Sequence, residues 1–180
     1  MTVLFRRDLG GLLRARGAPL VVAEVGVAEG RYSLEMLGWG LERLYLVDAW
    51  LCRPEVTGDS REPQEWHDRN LAACRGRVAA HGDRVTFLRG LSVDVAATLP
   101  DGSLGMAYLD ACHERDAVAA DLVAWWPKVV SGGVLAGHDY LCPHYGVREA
   151  VDEWAAGLGL EVNLIQETGE GDAGFWVGKP

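Results

Sequence analysis

Two acid–histidine sets in this chain have the composition to do chemistry, Asp110-x-x-His113 and His138-Asp139. Each closes an apolar run, and the two runs read as neighbouring strands. Carboxylates brought within a few ångströms of one another repel unless a cation or a proton sits between them. Hard oxygen ligands and few protein donors suit Mg²⁺ or a similar divalent ion, with waters or substrate oxygens completing the shell. A metal-bound hydroxyl loses its proton more readily, and His113 or His138 could take that proton near neutral pH. Such a set prepares a substrate oxygen to attack an electrophilic carbon. Taken singly, the residues have plainer roles: Asp110 as a helix cap, His113 as a solvated loop residue.

A second constellation lies upstream. Glu24-Val25-Gly26-Val27-Ala28-Glu29-Gly30 follows the apolar run Leu20-Val21-Val22 and leads into a helical pattern. About twenty residues later Leu44-Tyr45-Leu46-Val47 ends in Asp48, where a carboxylate can grip a ribose diol. A glycine turn lets a ligand approach the backbone closely. The spacing is not the G-x-G-x-x-G of dinucleotide folds, and Glu29 would repel a pyrophosphate. An acidic turn suits a ligand that carries a cation, an ammonium or a sulfonium. Gly90-Leu91-Ser92 stands at a third strand end, where Ser92 is placed to cap the next helix, to touch the ligand, or both.

Strands are expected at Leu20–Val25, Leu44–Asp48, Arg84–Arg89, Leu104–Asp110, Gly133–Gly137, Leu160–Gln166 and Gly174–Gly178. Helices are expected at Leu4–Arg16, Arg31–Leu37, Gln64–Ala80, Val93–Leu99, Asp116–Trp126 and Val147–Leu158. Alternation of this kind predicts an α/β fold, a Rossmann-like seven-stranded, mostly parallel sheet with helices on both faces. Glu167 to Ala173 is a short polar link, which predicts a C-terminal antiparallel hairpin at one sheet edge. In open parallel sheets ligands sit beyond the carboxyl ends of the strands, where all the residues named above fall. Trp50–Pro63 is the one long irregular segment, a candidate lid.

The 180 residues read as a single domain, 1–180, with 49% hydrophobic and 24% charged residues. A net charge of −9 argues against nucleic acid as partner. No apolar run is long enough to span a bilayer, so no membrane association is expected. Cys52, Cys74, Cys112 and Cys142 form no C-x-x-C pair and read as free thiols in a reducing, cytoplasmic setting. The small size and the tryptophans suggest a homodimer.

These residues resemble a known group, the class I S-adenosylmethionine-dependent methyltransferases, and within it the small bacterial enzymes related to macrocin and sugar O-methyltransferases. The resemblance runs from Val22 to Pro180. It is carried by Glu24 to Gly30, Tyr45-Leu-Val-Asp-Ala-Trp50, Arg89-Gly-Leu-Ser92 and Asp101 to Leu104. Tyr108-Leu-Asp-Ala-Cys-His113, Asp121-Leu-Val-Ala-Trp-Trp-Pro-Lys128 and Gly132-Gly-Val-Leu-Ala-Gly-His-Asp-Tyr140 complete it. The resemblance implies that Glu24, Gly26 and Gly30 line the methionine part of the cofactor and that Asp48 binds the ribose, with Trp50 close behind. It places Leu91 and Ser92 along the adenine. Asp110 and Asp139, with His138 beside them, would hold a divalent metal in metal-dependent members, and His113 would be the general base. Two departures stand out. Arg115 replaces an aromatic residue, which would alter the acceptor pocket or pair with a substrate carboxylate. His138 replaces an acid, which weakens the case for Mg²⁺. The reaction implied is O-methylation of a hydroxyl on a sugar or other small metabolite. A nicotinamide-dependent oxidoreductase on a similar sheet, or a non-catalytic cofactor-binding protein, are the competing readings.

Overall fold

The computed structural model describes residues 4–56, 58–166 and 173–180. Eight strands form one sheet: β1 (Leu4–Phe5), β2 (Val21–Val25), β3 (Arg43–Asp48), β4 (Val85–Arg89), β5 (Leu104–Leu109), β6 (Val129–Gly137), β7 (Asn163–Gln166) and β8 (Ala173–Gly178). Their order across the sheet is β1-β7-β8-β6-β5-β2-β3-β4. All pairings are parallel except those of β8, which runs antiparallel to both β6 and β7.

Period-two alternation builds the two layers. Val22, Leu44, Leu46, Met106 and Tyr108 face helices α1 (Leu9–Ala15), α2 (Arg31–Leu37) and α3 (Gln64–Val78). Ala23, Val25, Val47, Ala107 and Leu109 face α4 (Ser92–Thr98), α5 (Arg115–Trp125) and α6 (Val147–Leu158). Both faces are covered, which is why the central strands read as near-continuous apolar runs. α6 shows the matching helical spacing, with Val147, Ala150, Val151 and Ala155 buried.

The sheet differs from expectation at one edge. Leu4–Arg16 was expected as one helix, but Leu4–Phe5 pairs with β7 and Arg6–Asp8 is a 3₁₀ turn. The Phe5 N–H donates to Asp8 Oδ2 at 3.0 Å, which starts the helix late. The sheet therefore has eight strands, and β8 lies between β6 and β7, so the edge beyond the β7–β8 pair is β1. The link expected at Glu167–Ala173 falls largely outside the described residues.

The chain leaves β2 toward β3 and β4 and then returns to β5 on the other side of β2. This reversal point is where an open α/β sheet leaves a crevice beyond its strand tips.

Candidate functional site

Gly26 begins the turn at that crevice. Its φ is +88°, and a Cβ there would lie 1.9 Å from the Asp110 carbonyl oxygen, so only glycine lets the tips of β2 and β5 approach. The Asp110 N–H donates to the Val25 carbonyl at 2.7 Å, and the Gly26 N–H donates to Val47 at 2.9 Å. Gly30, at φ +75°, packs against Cys74 of α3. The three strand ends are thus bolted together by their backbones.

Asp48 faces this turn. Its Oδ2 accepts from the Val27 and Ala28 N–H groups, both at 2.9 Å, and its Oδ1 accepts from the Trp50 N–H at 2.7 Å. One acceptor position remains on Oδ1, counting two lone pairs per carboxylate oxygen. Trp50 is 1% exposed, packs on Phe87 and donates its indole N–H to the Ala28 carbonyl at 2.9 Å. It is a buried buttress of the turn as well as a lining residue. Glu29 points to the flank, where it pairs with Arg31 and with Arg77 at 3.1 Å.

Glu24 is buried under the turn and accepts from the Ser33 hydroxyl. Burial lifts its pKa to about 8; the Ser33 bond opposes this, while Asp110 and Asp48 add to it and Arg6 subtracts. A cation arriving beside Glu24 relieves that cost.

Across the crevice, His113 Nε2 lies 3.0 Å from Asp139 Oδ2 and 3.5 Å from Asp110 Oδ1. His138 Nδ1 meets the same Asp139 oxygen from behind at 3.1 Å. The His113 loop is held by the Gly146 N–H on the His113 carbonyl at 2.9 Å, and its ring stacks on Tyr145 with centroids 4.4 Å apart. Burial disfavours the imidazolium, yet the bonds to Asp110 and Asp139 carry its pKa up to about 9. Burial would raise Asp139, but His113 and His138 hold it far below the usual carboxylate range.

Asp110, His113 and Asp139 offer ligand atoms within 4.8 Å of one another. His138, expected as a ligand, stands outside that group and braces Asp139 instead. Two carboxylates and an imidazole fit a divalent ion, and the imidazole moves the preference from Mg²⁺ toward a transition ion. The ion and the His113 proton serve the same pair of carboxylates and therefore compete.

Ala28, Trp50 and Asp139 are the three non-glycine residues with left-handed backbone among the described residues, at φ 48°, 42° and 56°. All three stand at the strand tips of this site. Such strain costs about 1–3 kcal/mol each and persists only where the surroundings impose it.

These tips open into a cavity of about 920 Å³. Glu24, Gly26, Glu29, Asp48, Trp50, Leu91, Ser92, Asp110 and His113 all line it; Asp139, His138 and Gly30 do not. The Trp50–Pro63 segment supplies Leu51, Arg53 and Val56 to the rim. The segment is tethered: Gln64 donates to the Trp50 carbonyl at 3.0 Å, Arg89 does so at 2.9 Å, and the Arg53 N–H donates to the Ser60 carbonyl at 2.6 Å.

One expectation is corrected. Ser92 is the first residue of α4, with Leu91 as the cap and no side-chain cap bond; its hydroxyl instead accepts from Trp125 Nε1 at 2.8 Å. Arg115 pairs with Asp116, Glu149 and Glu153 and is not among the residues that line the cavity.

Sequence reasoning missed Tyr32, His67 and Asp121, all buried and all lining the cavity. The Tyr32 hydroxyl and His67 Nε2 have no hydrogen-bond partner among the described residues. The available signal was a polar residue within a buried stripe: His67 shares one with Leu71, Cys74 and Val78, and Asp121 shares one with Val118, Leu122 and Trp125.

A family model described as a methyltransferase domain matches residues 23–140, which spans the glycine turn, Asp48 and both acid–histidine sets. The chain belongs to this methyltransferase family. It is an S-adenosylmethionine-dependent enzyme, and the nicotinamide reading falls with that assignment. Among solved structures, the O-methyltransferase NovP matches with a TM-score of 0.69 and 21% identity, over 96% of this chain and 77% of NovP. An O-methyltransferase from Bacillus cereus in complex with SAH matches with a TM-score of 0.66 and 18% identity, over 96% of this chain and 80% of that one. A Corynebacterium glutamicum protein matches with a TM-score of 0.68 and 20% identity, over 99% and 83% of the two chains. At these identities the methyltransferase shares a fold with each. No curated protein matches the chain. Among the described residues no helix of the methyltransferase is long and apolar enough to cross a membrane.

Proposed function

We propose that this methyltransferase places the methyl group on a hydroxyl oxygen of a small molecule, with His113 as the group that takes the hydroxyl proton. The observation that carries this reading is the position of His113 Nε2, between two carboxylates at the cavity wall beside the glycine turn. Bound S-adenosylmethionine supplies a methyl carbon made electrophilic by its sulfonium, so the protein's task is alignment and deprotonation.

The chain's own residues divide that task. Glu24 is placed for the cofactor's ammonium, and the free acceptor position of Asp48 for a ribose hydroxyl. Asp110 and Asp139 orient the His113 ring, and Tyr145 fixes its plane. A neutral His113 whose Nε2–H donates to the carboxylates can accept the hydroxyl proton at its other ring nitrogen, and the resulting imidazolium is stabilised by those carboxylates. Asp110, His113 and Asp139 are also the residues that would hold a divalent ion, which would supply Lewis acidity toward the acceptor oxygen. Glu29, Asp59, Asp94 and Glu114 line the cavity as well. Together with the net charge of −9 they disfavour a polyphosphate acceptor.

The test is a screen of small hydroxylated, amino and carboxylic acceptors, scored by S-adenosylhomocysteine release and by mass of the product. Methyl ethers are the expected products. Methylation confined to amines or carboxylates would contradict the assignment.

A further inference from the structure

The N–H groups that Asp48 accepts come from Val27, Ala28 and Trp50. Two of these donors, Ala28 and Trp50, are left-handed non-glycine residues. The Trp50 indole N–H closes the ring by donating to the Ala28 carbonyl at 2.9 Å. The direction of the Asp48 carboxylate therefore depends on two strained backbone steps. Such a backbone relaxes unless its surroundings impose it.

Two arginines impose it. Arg77, near the end of α3, donates through Nε to the Glu29 carbonyl at 2.9 Å, and its Nη2 meets Glu29 Oε2 at 3.1 Å. Glu29 follows Ala28 directly, so this grip fixes the chain as it leaves the first strained step. Arg89 ends β4 in register with Asp48. It donates through Nε to the Ala49 carbonyl at 3.1 Å and through Nη2 to the Trp50 carbonyl at 2.9 Å. Those carbonyls belong to the peptides before and after the Trp50 Cα, so one planar fork holds both dihedrals of the second strained step. Gln64 adds a bond to the Trp50 carbonyl at 3.0 Å. Bonds from a guanidinium are charge-assisted and directional. Neither arginine is among the residues that line the cavity.

We propose that Arg77 and Arg89 are positioning residues for the cofactor. Each holds one strained donor of Asp48, so that the carboxylate meets the ribose hydroxyls already oriented. The inference rests on the placement of the ribose at Asp48. A site held in its bound shape avoids the cost of ordering it on binding. Without the guanidinium the strained residue relaxes, and the carboxylate turns with it.

The test titrates S-adenosylhomocysteine, and its analogue lacking both ribose hydroxyls, into the whole protein by calorimetry. The wild type should bind the analogue roughly 10–100-fold more weakly. Arg77→Met and Arg89→Met should each weaken S-adenosylhomocysteine by about 5–20-fold and the analogue by less than about twofold, because the loss passes through Asp48. Arg89→Lys lacks the fork and reaches one carbonyl at a time, so its affinity should fall between the wild type and Arg89→Met. A role confined to holding the fold would weaken both ligands alike. That result, or unchanged affinity for S-adenosylhomocysteine, overturns the role of the arginine concerned. Should a methionine variant not fold, the lysine variant at the same position carries the same comparison. Equal affinity of the wild type for the two ligands overturns the ribose placement itself, and the proposal with it.

Discussion

Replacing His113 by Ala is expected to lower kcat by about 10²–10⁴-fold, the usual worth of a positioned proton acceptor. Affinity for S-adenosylhomocysteine should stay within about twofold, because the glycine turn and Asp48 are held by other bonds. In the wild type the pH profile of kcat/KM should rise through the alkaline limb, with an apparent pKa near 9 set by the two carboxylates on the ring. That limb should vanish in His113→Ala. A divalent ion held by Asp110, His113 and Asp139 would displace the proton of the His113 nitrogen that faces the carboxylates, so saturating metal should remove the limb near 9. Stability follows the same groups. The folded pKa of His113 lies above the ordinary 6.5, so its contribution is fully present below 6.5 and is lost as pH rises through about 9. Asp139 runs the other way: its contribution is present above 3.8 and is lost as pH falls toward its lowered folded value. A variant that turns over at the wild-type rate would remove His113 from the mechanism.

Gly26→Ala should be the most damaging small substitution at the site. The new Cβ would stand 1.9 Å from the Asp110 carbonyl oxygen and 2.4 Å from its carbon, both backbone atoms. Neither can retreat without loss of the 2.7 Å bond from Asp110 to Val25 or displacement of the His113 loop that follows. An alanine at φ +88° adds about 1–2 kcal/mol of its own. A total above about 4 kcal/mol is expected, in the range reserved for clashes that move a core strand. For a chain of this size that corresponds to a fall in Tm of about 10 °C or more. Gly76→Ala is the matched control. It lies within α3 with nothing within 4 Å of its added Cβ, and should be neutral or stabilising by up to about 1 kcal/mol. Equal melting temperatures for Gly26→Ala and the wild type would show that the tips of β2 and β5 are not packed as described.

Much of this was legible in the sequence because the relevant signals are local. β2, β3 and β5 are covered on both faces, so Val21–Val25, Leu44–Val47 and Leu104–Leu109 stand out as apolar runs, and a polar residue ending each run marks a strand tip. Gly26 and Asp48 followed from the same reasoning. What escaped depends on partners distant in the chain. β1 is two residues long and exists through its pairing with Ile165 and Gln166. Ser92 has the right residue type for a cap, but the close packing of α5 on α4 gives its hydroxyl to Trp125 and Asp121. His113 and His138 are equivalent on paper. The Gly146–His113 backbone bond places His113 at Asp110, and His138 is left behind Asp139.

The central claim is that the tips of β2, β3, β4 and β5 hold one nucleoside with its sulfur turned toward His113. A crystal structure with S-adenosylhomocysteine tests it directly. The account predicts the ribose against Asp48, the amino-acid end beside Glu24 and Gly26, and the sulfur on the His113 side of the turn. Density for the nucleoside away from Asp48, or a sulfur facing α3 rather than His113, would contradict it.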